Sequence, residues 1–85
     1  MTDLQVTVRY FAAAKAAAGI ETELLRCPTG TTVNTLVDKL ARRGPELAKV
    51  LARCSFLRDG IAVRDRDDAL QTNQTVDVLP PFAGG

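Results

Sequence analysis

The feature that most constrains this chain is one helix. Val33, Leu36, Val37, Leu40 and Ala41 recur at i, i+3, i+4, i+7 and i+8, which makes a clean apolar stripe. Asn34, Thr35, Asp38, Lys39, Arg42 and Arg43 fall on the other side. Most of the stability of such a helix comes from packing its stripe, not from propensity. The chain has 85 residues, room for one sheet and one or two helices to supply that cover. Thr32 suits the N-cap, and Thr35 at N3 means that no capping box forms. Arg42 and Arg43 suit the negative end of the helix dipole, and Gly44 suits the C′ position. As a solvated helix end, the arginine pair needs no partner.

The flanking segments predict the sheet. Leu4, Val6 and Val8 alternate with Gln5, Thr7 and Arg9, a period-two strand closed by Tyr10 and Phe11. Its position predicts an interior strand. Residues 11–18, FAAAKAAA, have the highest helix propensity in the chain, and Gly19 fits the stop. Residues 20–26 form a second strand that pairs with the first and ends at Cys27-Pro28, with a turn at Pro28-Thr29-Gly30. Pro45 opens a second helical stretch through Leu47, Val50 and Leu51 that runs out near Cys54. Residues 55–58 and 61–64 flank Asp59-Gly60, a hairpin signal because both central residues of a type I′ turn need positive φ. Asp65, Asp67 and Asp68 sit in a charged loop without the glycine or the distal glutamate of a calcium loop. Leu70 is expected to plug the core beneath that loop. Thr72-Asn73-Gln74 reads as a turn, and Val76–Leu79 is the last strand, ended by Pro80.

Taken in order, these elements predict an α+β fold of the β-grasp, ubiquitin-like type. It is one domain over residues 1–85, with a mixed sheet of four to five strands packed on one main helix. A last strand in the middle of that sheet holds the segment that follows it firmly at its root.

Composition narrows the function. There is no histidine, which removes Ser-His-Asp and Cys-His catalysis and most zinc sites, and no metal site is expected. Cys27 and Cys54 carry no CxxC spacing and read as small buried thiols. The net charge of +1 gives no argument for nucleic acid or a membrane surface. No apolar run is long enough to cross a membrane, and the N-terminus lacks a signal-peptide layout, so a cytoplasmic location is expected.

The chemistry is expected in the tail, residues 80–85. From average glycine usage, a Gly-Gly end arises by chance in about 0.5% of chains, so its occurrence here calls for a reason. Pro80 and Pro81 stiffen the segment and Phe82 is a large apolar group. Ala83, Gly84 and Gly85 make the end thin enough for a channel that a bulkier side chain would block. Phe82–Gly85 fully extended spans roughly 13 Å. The α-carboxylate of Gly85 is an anion at neutral pH. It can attack the α-phosphate of ATP to give an acyl-adenylate, which then accepts sulfur or an amine. The reacting atom then belongs to the main chain.

Five stretches together carry a family resemblance. They are Val8-Arg9-Tyr10-Phe11-Ala12, Gly30-Thr31-Thr32-Val33, Asp59-Gly60, Val76–Leu79, and the ending Pro80-Pro81-Phe82-Ala83-Gly84-Gly85. On these the chain resembles the small sulfur carriers of the MoaD/ThiS type, most closely the branch that serves molybdopterin synthase. It departs from the family pattern at Asp59-Gly60, where Asn-Gly is common, and at Asn73-Gln74-Thr75, where an acidic Gly-Asp-Glu turn is common.

The resemblance implies a non-catalytic, sulfur-donating small subunit of a sulfurtransferase complex, with no catalytic side chains of its own. An adenylating, E1-like enzyme uses ATP to activate Gly85, and a sulfur donor protein converts the carboxylate to a thiocarboxylate. The tail then enters the large catalytic subunit of molybdopterin synthase, in a heterotetramer. Gly84 supplies clearance; Pro80, Pro81, Phe82 and Ala83 dock. The other readings are a carrier for thiamine, a sulfur-containing amino acid or tRNA thiolation, and a ubiquitin-like modifier or binding module.

Overall fold

A computed structural model describes residues 3–81. The elements run β1 (Asp3–Tyr10), α1 (Ala12–Ala18), β2 (Thr22–Pro28), α2 (Val33–Ala41), α3 (Pro45–Leu51), β3 (Ser55–Arg58), β4 (Ile61–Ala62) and β5 (Thr75–Leu79). The five strands form one sheet in the order β2-β1-β5-β3-β4. β1 and β5 are parallel, and the other neighbours are antiparallel. This is the expected β-grasp sheet, with the first strand in its interior and the last strand at its centre.

Alternation in β1 sends Leu4, Val6, Val8 and Tyr10 into the core. Val76 and Val78 of β5 and Phe56 of β3 join them. α2 covers this face with Val33, Leu36 and Leu40, all essentially buried. Its N-cap is Thr32, whose side-chain oxygen accepts the Thr35 N–H at 3.1 Å. The core is larger than one helix: α1 adds Ala14, and α3 adds Leu47 and Leu51, to the same cluster. Leu70 is buried, and its N–H donates to the Thr31 carbonyl at 2.8 Å.

The Asp59-Gly60 turn has both φ angles positive, 49° and 83°, as a type I′ hairpin requires. Asp59 also ties the hairpin to β5. Its N–H donates to the Thr75 carbonyl, and its Oδ1 accepts the Thr75 N–H, both at 2.8 Å.

Three local expectations need correction. Gly44 is not the left-handed C′ residue of α2. Arg42 keeps a right-handed conformation at φ −73°, and Arg42 and Arg43 close the helix by donating to Asp38 and Leu40. Gly44 is extended at φ 164° and caps α3 ahead of Pro45. β2 begins at Thr22, two residues later than the expected start at 20, and ends at Pro28 as expected. β4 stops at Ala62: Val63 still donates to the Phe56 carbonyl, and the chain then turns into the 65–68 loop. Among the described residues, no helix is long and apolar enough to cross a membrane.

Candidate functional site

The expected site divides at Pro81. Pro80 is half-buried and Pro81 is exposed. Phe82, Ala83, Gly84 and Gly85, expected to dock, to give clearance and to react, lie outside the described residues. What the structure provides is the root from which they leave.

That root is β5, held by β1 on one side and β3 on the other. Val76 and Val78 anchor it in the core, while Thr75, Asp77 and Leu79 face the other side of the sheet. Pro80 and Pro81 have no N–H to give a ladder, which fits the end of β5 at Leu79. The parallel register places Arg9 beside Asp77. Arg9 Nε donates to Asp77 Oδ1 at 2.7 Å and Nη2 to Oδ2 at 3.2 Å, a bidentate pair. The pair is asymmetric, with the Arg9 side chain 48% exposed and that of Asp77 10%. The Arg9 guanidinium also lies 5.3 Å from the centroid of the Phe11 ring.

Phe11 is fastened to the same root, since its N–H donates to the Val78 carbonyl at 3.3 Å. The corner that follows puts Ala12 at φ 51°, a left-handed conformation that costs a non-glycine residue about 1–2 kcal/mol. Phe11 therefore stands at the exit of β5, partly exposed.

A second cluster locks β1, β2 and the end of α2 together. The buried Tyr10 hydroxyl donates to Glu23 Oε2, and Arg43 Nη1 donates to the same oxygen at 2.6 Å. Burial, aided by the bond to Glu23, raises the Tyr10 pKa. Burial would also raise that of Glu23, but the hydrogen bonds from Arg43 and Tyr10 and the Arg43 charge outweigh it and lower the Glu23 pKa. Arg43 is thus not a bare solvated helix end.

Cys27 and Cys54 are free, buried thiols whose pKa values burial raises. A raised thiol pKa suppresses the thiolate needed for nucleophilic or redox chemistry. In the acidic loop, Asp67 accepts the Asn34 amide at 2.8 Å and Asp65 accepts the Asp67 N–H at 2.9 Å. Among the described residues, no three His, Cys, Asp or Glu side chains converge as a metal site.

The Arg9–Asp77 pair escaped the sequence reading because 68 residues separate the partners. The available signal was positional: each is the polar residue between two core residues of its strand. It becomes readable only once β1 and β5 are known to pair in parallel.

The described residues thus fix β5 between two strands up to Pro80, and known proteins share this form. A computed match to the ThiS family covers residues 8–85. A molybdopterin synthase sulfur carrier subunit from Chlamydomonas reinhardtii is 29% identical over 83 residues, spanning 96% of this chain and 100% of that protein. A solution structure of a Haloferax volcanii protein superposes with a TM-score of 0.85 at 26% identity, covering 98% of this chain and 88% of that one. A putative molybdopterin converting factor, subunit 1, from Pyrococcus furiosus gives a TM-score of 0.83 at 25% identity, covering 93% of this chain and 99% of that one. With a match across nearly its whole length and the fold to go with it, the chain belongs to the ThiS family.

Proposed function

We propose that this chain is the sulfur carrier subunit of a molybdopterin synthase and that Gly85 is its reacting residue. The observation that carries the reading is the placement of Pro80 and Pro81 at the exit of the central strand. A group delivered into a partner's site needs a stiff, well-anchored root, and this sheet supplies one. Family membership and the resemblance to a carrier subunit over 96% of the chain support the chemistry.

In the proposed cycle, the Gly85 carboxylate attacks the α-phosphate of ATP on an adenylating enzyme and releases pyrophosphate. A sulfur donor protein supplies sulfur at the sulfide level, which attacks the acyl carbon and displaces AMP to leave a thiocarboxylate. The large catalytic subunit, paired with this chain in a heterotetramer, receives the tail. It provides the acid–base groups that move sulfur to the pterin precursor, and water returns Gly85 to a carboxylate. A thiocarboxylate is the better nucleophile because its charge lies largely on polarizable sulfur. Gly84 leaves room near the reacting carbon, and Pro80, Pro81, Phe82 and Ala83 contact the partner.

Intact-mass measurement of the native chain, followed by C-terminal fragmentation, tests this. The expected result is a species heavier by the difference between sulfur and oxygen, localised to Gly85. Failure to produce it after incubation with an activating enzyme, ATP and a sulfur donor overturns the proposal. Adducts joining Gly85 to lysines of other proteins would identify a modifier instead. Deleting Gly85 should abolish sulfur transfer with the fold intact, and Gly84→Val should block activation or insertion with little change in Tm.

A further inference from the structure

The two edges of the sheet are unequal. One edge is β4, only two residues long. The other is β2, seven residues long, whose register with β1 runs unbroken from Asp3↔Pro28 to Arg9↔Thr22. Natural edges are commonly blunted by bulges, prolines or charged side chains, lysine above all. β2 has no bulge in this register, its proline is at its last position, and it contains no lysine; its charges are Glu23, held by Tyr10 and Arg43, and Arg26.

The hydrogen-bond phase shows which groups remain open. Tyr10 N–H donates to the Glu21 carbonyl across the β1–β2 pair, whereas Thr7 and Phe11 turn their N–H groups towards Gln74 and Val78. Even-numbered residues of β1 therefore bond to β2, and the odd-numbered residues of β2 answer them. Thr22, Leu24 and Arg26 are left with N–H and C=O groups directed outward. All three are exposed, and Leu24 is 60% exposed.

We infer that β2 is a homotypic docking edge, at which a second copy of this chain adds its own β2 antiparallel about a two-fold axis through Leu24. A two-fold axis normal to the sheet keeps each face on its own side, so each residue must meet one of the same parity. With the axis at Leu24, Leu24 meets Leu24 of the second copy, and Thr22 meets Arg26. Every outward N–H and C=O of the three residues is then paired. An axis at Leu25 would set Thr22 against Pro28, which has no N–H. An axis at Glu23 would set Arg26 against Ile20, outside the strand.

The charges agree with this register. Arg26 faces a threonine, and Glu23, already held by Arg43 and Tyr10, faces Leu25. The two leucines cover each other's exposed sides. β1 lies between β2 and β5, so pairing leaves both exits at Pro80 uncovered, and the two-fold axis points them in opposite directions. Three residue pairs make a contact smaller than a standard stable interface, so the dimer is weak and concentration-dependent. This inference does not depend on the sulfur-carrier reading.

Sedimentation velocity over a concentration series tests it on the whole chain. The wild type should shift reversibly from monomer to dimer as concentration rises. Leu24→Lys should stay monomeric with an unchanged circular dichroism spectrum and Tm. Under mild oxidation, Leu24→Cys should give a disulfide-linked dimer, because directly opposed residues of a hydrogen-bonded pair lie about 5.5 Å apart between Cα atoms. Arg26→Cys should not cross-link to itself. A wild type that remains monomeric into the millimolar range overturns the inference. So does self-cross-linking of Arg26→Cys in place of Leu24→Cys, which would show a different register.

Discussion

On the covered face of the sheet, Val6, Val8, Tyr10, Phe56, Val76 and Val78 are at most 3% exposed. On the opposite face the same strands carry Thr7, Arg9, Leu57, Thr75, Asp77 and Leu79, with a bidentate ion pair at the centre. β5 contributes to both, through Val76 and Val78 on one side and Asp77 on the other. The contrast separates two tasks. The apolar face sets how firmly the strand is held, and the polar face sets what can be laid against it. A half-exposed ion pair adds little stability, so the two faces should respond very differently to substitution.

The largest effect is expected on the covered face. Leu36→Ala should destabilise the fold by about 2–5 kcal/mol in denaturant titration, through lost burial and the cavity left behind. A value near zero would break the division between the faces. On the open face, Arg9→Met should cost about 1–2 kcal/mol, because it leaves the Asp77 carboxylate without its partner. The double replacement Arg9→Met with Asp77→Leu should recover most of that loss. If the double variant is no better than the single one, the pair is doing more than neutralising a covered carboxylate.

Tyr10→Phe should cost about 1 kcal/mol, since Glu23 keeps Arg43 as a partner. Its pH dependence is more specific. The Glu23 pKa is lowered in the fold, so its contribution is present above the ordinary glutamate value near 4.3 and is lost as pH falls through the lowered one. The Tyr10 pKa is raised, so its contribution is complete below about pH 10 and is lost as pH rises through the raised value. Glu23→Gln should flatten the acid arm of a stability–pH curve, and Tyr10→Phe the alkaline arm. The smallest expected effect is a rate: Cys27 and Cys54 should resist alkylation in the native protein and react on unfolding.

Much of this architecture could be read from local patterns. The α2 stripe, the alternation of β1 and the Asp59-Gly60 turn are each decided within a few residues, and all formed as read. Gly44 misled because the same glycine suits the end of one helix and the start of the next, and Pro45 behind it settles the matter for α3. The Arg9–Asp77 pair and the Tyr10–Glu23–Arg43 cluster depend on which strands lie side by side. No local period encodes that pairing. Of the expected tail residues, only Pro80 and Pro81 fall within the described structure.

The position of β5 also bears on how the protein is made. β5 is synthesised after the other four strands, yet it lies between β1 and β3. Until it arrives, β1–β2 and β3–β4 have no common strand to join them, and the contacts that close the sheet span nearly the whole chain. Such late, non-local closure slows folding and leaves unpaired edges open in the meantime. A ribosome that stalls before Thr75 therefore releases a chain without a finished sheet, vulnerable to proteolysis. Completion of the sheet and synthesis of the segment that follows it are thus coupled by topology: a chain that folds stably has been translated at least through β5, to the threshold of Pro80.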